Sequence, residues 1–492
     1  MAKNIVVCSD GTGNTAIKER GTNVFKLYEA IDTAYPTNGQ PLQIAIYDDG
    51  VGTASLKPIQ ILGGAFGWGL SRNVKQLYTA LAHSYVPGDK LYFFGFSRGA
   101  FTVRSLAGFI ATVGLVNASH PDLNESADLD RAVSKAYSEF RETFGGLWEG
   151  TKKVFRKKAT KNVTRYADVP IEFIGVWDTV DAVGLPFDEA TKFLNWIFRF
   201  KFPDTELSSR VKHARHALSL DDERKTFHPV IWNENKDDND RIIQIWFAGV
   251  HSNVGGGYVK QGMSLISLNW IMDEAERFGL RFITTDRNTY RDHANVHDKP
   301  YDSRGGLGVY YRYQPRDIGK LCSKKNVKPK IHYTALERAA FCTEGYAPAN
   351  WPADAMLYDG PIKINGKNLA DICGTTPYLL DDPSYKRAIQ CRQKAYLFFL
   401  IFSLWIFLAA VTPQANGNYW QVLSSWQISD VLSQPLSTDF LGAFLKTLYQ
   451  YPLLTVALSI TAIVGIRCRK RQQSIASKHW HKISQQIRHG FY

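Results

Sequence analysis

Short apolar runs alternate with amphipathic segments over the first 385 residues of the chain. Runs of mostly apolar residues, which are typical of buried strands, lie at 5–8, 43–47, 90–94, 171–177 and 242–247. Segments with apolar residues at helical spacing lie between them, at 23–34, 70–84 and 100–113. Strands that alternate with helices predict βαβ units, and therefore an α/β fold built on a mostly parallel sheet flanked by helices.

The pattern changes near residue 385, where long uncharged runs replace the short ones. Residues 395–411 carry no charge, and their length is at the short end of what spans a bilayer. Residues 448–466 are also uncharged, with Pro452 near their start. Each run would alternatively form a buried core helix, but apolarity on every face suits lipid better than one-sided contact with a core.

The charges beside these two runs predict how they cross a bilayer. Basic residues lie at the two outer ends, namely Lys386, Arg387, Arg392, Lys394, Arg467, Arg469, Lys470 and Arg471. The segment between the runs carries Asp430 and Asp439 and few basic residues, so both termini are predicted to face the cytoplasm. We therefore predict a globular domain over 1–385, a two-helix transmembrane hairpin over 386–471 and a basic tail over 472–492. That tail either lies on anionic lipid headgroups or forms a soluble basic helix.

Composition narrows the class of protein only slightly. The 492 residues are 45% hydrophobic and 13% aromatic, which allows a packed core and argues against disorder. The net charge of +13 favours an anionic partner, such as an acidic membrane surface, or is only a solvated surface. The six cysteines are scattered and form no CxxC pair, so we expect neither a disulfide framework nor a zinc site. Residues 1–4 lead straight into a strand-like run, so we expect no secretory signal peptide.

The sharpest local signal is the pentapeptide Gly95-Phe96-Ser97-Arg98-Gly99, which matches G-x-S-x-G. It follows a strand-like run and precedes a helix-like segment, as a nucleophile elbow does. A serine at such a turn adopts strained backbone angles, and the chain packs so closely there that Gly95 and Gly99 are needed. Ser97 is therefore the candidate nucleophile.

A serine hydroxyl needs a base, and the base needs an orienting acid. Asp178 directly ends the run 171–177 and is the candidate acid, with Asp181 as its competitor. His251 follows the run 242–247, opens a glycine-rich loop and is the candidate base. The rival histidines are His216, His228 and His332.

The oxyanion hole requires two backbone N–H groups near the nucleophile. One is expected from Arg98, and the other from Gly11 or Thr12 in the turn that follows the first strand. That turn is equally well an ordinary glycine turn. The chain contains no G-x-x-x-x-G-K-[ST] motif, and the glycine-rich segment 63–69 lacks the lysine, so nucleotide binding is disfavoured.

These motifs together resemble one known family. The ordered set is SDGTGN at 9–14, YDDGVGT at 47–53, GFSRGA at 95–100, GVWDTVDAVG at 175–184, RHALSLDDER at 215–224 and FAGVHSNVGGGY at 247–258. It is similar to the α/β-hydrolase domain of bacterial type VI secretion phospholipase effectors and their uncharacterised relatives. The resemblance covers most of residues 1 to about 360.

The resemblance implies a Ser-Asp-His triad at Ser97, Asp178 and His251, and phospholipase A-type cleavage of acyl esters without a required metal or cofactor. It also implies a phospholipid membrane, a secretion-system spike or an immunity protein as partners, and no nucleic acid. We expect a lipid acyl-ester hydrolase in the bacterial inner membrane, or a secreted antibacterial effector that inserts into a target membrane. The alternatives are an esterase or thioesterase for a soluble acyl substrate, and a membrane-active toxin or anchored interaction protein.

Two further segments bear on how a lipid would approach the site. Residues 193–202 are rich in aromatics and carry a few cations, so they form either a lid at the interface or a buried helix. Residues 152–161 include six lysines or arginines, which meet lipid headgroups or form a solvated loop.

Overall fold

The computed structural model describes residues 2–11, 21–36, 39–50, 65–123, 125–143, 164–181, 206–235, 240–361, 365–411 and 440–488. The strands among these residues are β1 (Lys3–Ser9), β2 (Leu42–Asp48), β3 (Lys90–Phe96), β4 (Leu115–Val116), β5 (Arg165–Tyr166), β6 (Ile171–Trp177), β7 (Val211–Ser219), β8 (Ile242–Phe247), β9 (Lys330–His332) and β10 (Met356–Tyr358). Eight of them form one sheet in the order β10-β9-β8-β7-β6-β3-β1-β2. Neighbouring strands of this sheet pair in parallel.

The α-helices of the described residues connect these strands or follow them. They are α1 (Asn23–Ala30), α2 (Ala65–Ser84), α3 (Arg98–Val113), α4 (Ser126–Glu142), α5 (His251–Gly255), α6 (Gly262–Arg277), α7 (Thr284–Asp292), α8 (Ile318–Ser323), α9 (Tyr333–Ala340), α10 (Leu369–Cys373), α11 (Pro383–Val411), α12 (Phe440–Gln450) and α13 (Pro452–Arg488).

The sheet separates two apolar cores because successive side chains of a strand point to opposite faces. In β1, Ile5 and Val7 join a core with residues of α2, α3 and α4. Val6 and Cys8 point the other way, into a core shared with α1 and α6. Helices therefore cover both faces, and the predicted α/β fold with a parallel sheet flanked by helices is confirmed.

One central strand, β7, was missed by the apolar pattern. It contains Lys212, His213, Arg215 and His216, which break the run of apolar residues expected of a buried parallel strand. The structure accommodates the buried Arg215 by pairing its Nε with Glu274 of α6 at 2.5 Å. A buried ion pair of this kind depends on a partner distant in sequence, so a local pattern does not reveal it.

The C-terminal region consists of long helices. Both α11 and α13 are long and apolar enough to cross a membrane. Their large apolar side chains face outward, including Leu397, Phe398, Ile401, Ile460 and Ile463. The run 448–466 does not form one helix, because α12 ends at Gln450 and α13 begins at Pro452. Proline at the first position of a helix is favourable, since its missing N–H would have no partner there.

The second long helix continues without interruption past residue 471 to Arg488. Its last turns pack on the globular domain, where Trp480, Ile483 and Ile487 join an apolar core with residues of β9, α8 and α9. The indole of Trp480 is fully buried and donates a hydrogen bond to the carbonyl of Pro348. Residues 472–488 are thus an amphipathic helix held by the domain.

Cys391 of α11 and Cys468 of α13 are joined by a disulfide, with their Cα atoms 6.4 Å apart. This single bond is not the disulfide framework that the scattered cysteines argued against. The two residues are 77 positions apart, so only the antiparallel packing of the two helices brings them together.

Candidate active site

Ser97 lies at a sharp turn between β3 and α3. Its backbone angles are φ 57° and ψ −119°, a region that residues with a side chain rarely occupy. Its N–H donates to the carbonyl of Trp177 at 3.0 Å, which holds the turn against the end of β6. The side chain sits at the start of a helix, where the partial positive charge favours a developing anion.

The two glycines of the motif are required by close packing. A Cβ on Gly95 would lie 2.6 Å from the carbonyl oxygen of Gly99 and 2.7 Å from the backbone of Ala100. A Cβ on Gly99 would collide with the backbone carbonyls of Ser9 and Asp10. The turn after β1 is therefore in direct contact with the start of α3.

Asp178 and His251 form a buried pair at the same edge of the sheet. Asp178 directly follows β6, and its Oδ2 lies 2.6 Å from Nδ1 of His251, which directly begins α5. The carboxylate also accepts the backbone N–H of Ser219 at 3.0 Å and its hydroxyl at 3.1 Å. These bonds fix the carboxylate, which in turn orients the imidazole through its Nδ1.

A third residue, Arg316, belongs to this pair and is not apparent from the sequence pattern. Its two terminal nitrogens lie 2.8 and 2.9 Å from the two oxygens of Asp178, and its side chain is completely buried. The guanidinium also donates to the carbonyls of Ser219 and Phe227. A two-pronged contact of this geometry is specific to arginine. An isolated arginine in a loop gives no sequence signal for it.

Aromatic rings enclose the imidazole of His251. The ring of Phe96, the residue before Ser97, lies 4.6 Å from it between centroids, and the ring of Phe227 lies 4.9 Å away. The backbone N–H of His251 donates to Asp222 at 3.2 Å. Asp222 is itself paired with Arg224, so the loop after β7 supports the histidine.

Burial and charge set the protonation of this pair. Burial would raise the pKa of Asp178, but the charge of Arg316 and the hydrogen bond from His251 outweigh it and hold that pKa well below its usual range. Burial lowers the pKa of His251, although the hydrogen bond and charge of Asp178 oppose the shift. The imidazole is therefore neutral at neutral pH and is able to accept a proton.

The other candidate acid and histidines have different surroundings. His216 is fully buried, its Nε2 accepts the N–H of Thr179 at 3.1 Å, and burial lowers its pKa to about 3. His228 contacts the carbonyl of Gln314, and His332 contacts Thr334. Of the two candidate acids, Asp178 contacts His251.

Ser97 and His251 each follow a strand of the sheet, and no direct hydrogen bond joins them among the described residues. Phe96, which precedes the serine, connects them, because its ring lies against the imidazole at a tilt of 33°. Hydrogen bonds between a nucleophile and its base often tighten only when substrate binds.

The expected oxyanion donors differ in their availability. The backbone of Arg98 begins α3 directly after Ser97. The N–H of Gly11 donates to the carboxylate of Asp10 at 2.6 Å and is engaged in this conformation. Asp10 also accepts the hydroxyl groups of Thr22 and Tyr47, so it holds the turn after β1 together. Thr12 lies outside the described residues, as do segments 152–161 and 193–202.

Within the described ranges, no cluster of His, Cys, Asp and Glu side chains has the arrangement of a metal site. The chemistry that the arrangement supports is proton transfer from a serine to a histidine oriented by a carboxylate.

Comparison with solved structures and with a curated protein gives distant relatives. An uncharacterized protein of Saccharomyces cerevisiae is 29% identical over 246 residues, which are 46% of this chain and 32% of that protein. The chain thus spans about a third of the length of this relative. Proteins similar to this chain are therefore found outside bacteria as well.

An uncharacterized protein from Pseudomonas aeruginosa aligns over 94% of this chain and 66% of its own, with 16% identity and a TM-score of 0.37. The Tle1 effector, in a structure bound to the VgrG spike of the type 6 secretion system, aligns over 52% of this chain and 51% of its own, with 17% identity and a TM-score of 0.28. The assignment rests on a family model that matches residues 3–274, which is more than half of the chain. The chain belongs to the family of type VI secretion phospholipase effectors of the Tle1-like type, and the matched region is their catalytic domain.

Proposed function

We propose that this protein is a serine-dependent phospholipase of the A type, with Ser97 as nucleophile, His251 as general base and Asp178 as the orienting acid. The observation that carries the proposal is the buried 2.6 Å contact between Asp178 and His251 at the sheet edge where Ser97 forms a strained turn. The family membership supports a lipid ester as the substrate.

In the proposed reaction, His251 takes the proton of Ser97 as its Oγ attacks the acyl carbonyl of a phospholipid. The backbone N–H of Arg98 stabilises the oxyanion, which is worth about 3 kcal/mol for one such donor. The intermediate collapses to an acyl-serine, and His251 gives its proton to the departing lysophospholipid. Water then attacks the acyl-serine as His251 takes its proton, and His251 returns this proton to Oγ of Ser97 as the bond to the acyl group breaks and the fatty acid leaves.

We further propose that α11 and α13 anchor the enzyme in a bilayer as a transmembrane hairpin. Both helices are long and apolar enough to cross a membrane, and large apolar side chains face outward along them. Basic residues at both outer ends favour cytoplasmic termini, so a resident enzyme of the bacterial inner membrane is the proposed location. The secreted effector, with a spike or immunity protein as partner, remains the alternative.

The decisive experiment is lipid product analysis with the full chain and the Ser97→Ala variant. Release of fatty acid and lysophospholipid from vesicles should fall by roughly 10⁴-fold on loss of the nucleophile. The matched control is Ser105→Ala, because Ser105 is a buried serine on the same helix whose hydroxyl bonds only to the carbonyl of Phe101. Undiminished lipid hydrolysis by Ser97→Ala would refute the assignment.

The same preparation separates the competing functions. An esterase or thioesterase for soluble substrates would hydrolyse short p-nitrophenyl esters and leave vesicle lipids intact. A membrane-active toxin would release a trapped dye from vesicles even as the Ser97→Ala variant, because its effect would not depend on ester chemistry.

A further inference from the structure

The first helix of the hairpin packs against the globular domain, at the edge of the sheet that carries the candidate catalytic residues. Arg392, which is buried on α11, pairs with Glu223 at 2.7 and 3.0 Å. Glu223 lies in the loop that follows β7, beside Asp222, which accepts the backbone N–H of His251. The N-terminal part of α11 therefore contacts the loop that supports His251.

A second contact lies one turn further along the helix. The hydroxyl of Tyr396 donates to the carbonyl of Tyr310 at 2.6 Å, and the ring of Tyr310 lies 5.6 Å from that of Phe399. The next residue, Tyr311, packs its ring 5.4 Å from Phe227. Phe227 in turn contacts the imidazole of His251. Two sets of ring contacts, joined by the backbone between Tyr310 and Tyr311, therefore connect the helix to the active site.

These contacts lie close to the positions along α11 and α13 where charged residues give way to exposed apolar ones. On α11 the charged residues end at Lys394, and Leu397 and Phe398 beyond it are exposed. On α13 the last exposed apolar residue before the basic segment is Ile466. A water–lipid boundary is therefore expected between Lys394 and Leu397, at the height of Tyr396.

The rest of α13 also contacts the domain. Its basic segment pairs Arg469 with Asp302 at 2.5 Å, and Trp480 further on is buried in the domain. The domain thus contacts the hairpin through both long helices, and we expect these contacts to restrict the distance over which the active site operates.

We propose, on the basis of the proposed function, that the catalytic edge of the sheet is held against the bilayer that the hairpin enters, so that the enzyme hydrolyses phospholipids of its own leaflet. The hairpin then anchors the enzyme and also places its active site next to the phospholipid substrate. Lipids of a separate membrane lie beyond the reach of the active site.

The test uses the full chain reconstituted in vesicles of phosphatidylethanolamine and phosphatidylglycerol, with a fluorogenic phospholipid in one of two places. The labelled lipid is either in the vesicles that carry the protein or in separate protein-free vesicles mixed with them. Turnover should be at least about tenfold faster in the first arrangement, because confinement raises the effective concentration. Equal turnover in both would overturn the proposal.

A soluble p-nitrophenyl ester, added to both mixtures, reports whether the active site is intact. Hydrolysis of the ester without turnover of either lipid would refute the phospholipase function itself, and the inference would fall with it. Turnover of the separate vesicles alone would show that the catalytic edge faces away from the anchoring bilayer.

The docking contact is tested with Arg392→Gln against a matched control, Arg387→Gln. Both variants remove one positive charge from α11, but Arg387 is exposed and bonds only to the carbonyl of Pro383 of its own helix. Arg392→Gln should lower same-vesicle lipid turnover relative to ester turnover, whereas Arg387→Gln should leave that ratio unchanged. An unchanged ratio in both variants would show that this contact does not position the site.

Discussion

At the scale of single residues, the unusual feature is that the orienting carboxylate serves two partners at once. Asp178 receives His251 on one oxygen and a fully buried guanidinium, Arg316, across both. The positive charge of Arg316 offsets part of the carboxylate charge that would otherwise stabilise a protonated imidazole. The pair is therefore arranged to keep His251 neutral down to a lower pH than an ordinary histidine.

The wild-type pH profile should reflect this arrangement. Because the pKa of His251 is lowered from 6.5 by burial, the base form persists as the pH falls below that value. We expect the acid-side half-maximum of kcat/KM for a soluble ester below pH 6.5, measured under conditions where the protein remains folded. A half-maximum well above pH 7 would contradict the role of His251 in this environment.

Replacing Arg316 with methionine should shift the acid-side half-maximum of the kcat/KM profile to higher pH. Loss of the guanidinium removes a positive charge that offsets the charge of Asp178, so the acid-side half-maximum of kcat/KM should move to higher pH. Arg316→Lys keeps the charge but loses the two-pronged contact, so it should lower kcat while leaving the acid limb close to its wild-type position.

Arg312→Met serves as the control, because Arg312 is an exposed arginine of the same loop. A folded Arg316→Met variant with reduced rate and an unshifted pH profile would show that Arg316 acts only on structure.

At the scale of elements, two glycines of helix α3, Gly99 and Gly108, have different surroundings. Gly99 lies against the carbonyls of Ser9 and Asp10, so the helix can approach the first strand only if this position lacks a Cβ. Gly108, on the same helix, has only the ring of Phe140 near it, at 3.8 Å from a built Cβ.

Alanine at these two positions should have opposite effects. Gly99→Ala should lower the free energy of unfolding by roughly 1–3 kcal/mol and abolish ester hydrolysis, because the backbone must shift around Ser97. Gly108→Ala should raise the free energy of unfolding by up to about 1 kcal/mol through helix propensity, with activity retained. Denaturant titration measures the free energy of unfolding of each variant, and an ester assay measures its activity. Full activity of Gly99→Ala would contradict the proposed close packing at this position.

At the scale of the whole molecule, the C-terminal helix belongs to two environments. Its first part presents apolar side chains outward, and its last turns complete an apolar core of the globular domain. Trp480 therefore contributes to the stability of the domain although it lies beyond the apolar run in the sequence.

Trp480→Ala should destabilise the domain by about 3–5 kcal/mol, the usual cost of truncating a buried aromatic side chain. Lys482→Ala, two residues later on the exposed face of the same helix, should change stability by less than about 0.5 kcal/mol. The measurement is thermal or denaturant unfolding of the detergent-solubilised full chain. Equal stability of the two variants would show that the helix is not held by the domain.

Much of the fold follows from local pattern alone. The strands β6 and β8 begin and end where the apolar runs do, because a buried parallel strand needs apolar residues on both faces. The candidates Ser97, Asp178 and His251 each follow a strand, and the carboxyl ends of parallel strands meet at one edge. Periodicity and chain order are therefore sufficient to nominate them.

What only the tertiary structure decided involves partners far apart in the chain. Arg316 reaches Asp178 across 138 positions, Arg392 reaches Glu223 across 169, and Cys391 reaches Cys468 across 77. No local pattern encodes such contacts, because they arise from how separate elements pack. The amino-acid sequence by itself thus determined many of the elements, the apolar C-terminal runs and the candidate residues, whereas the folded chain decided which charges meet and where the C-terminal helices contact the domain.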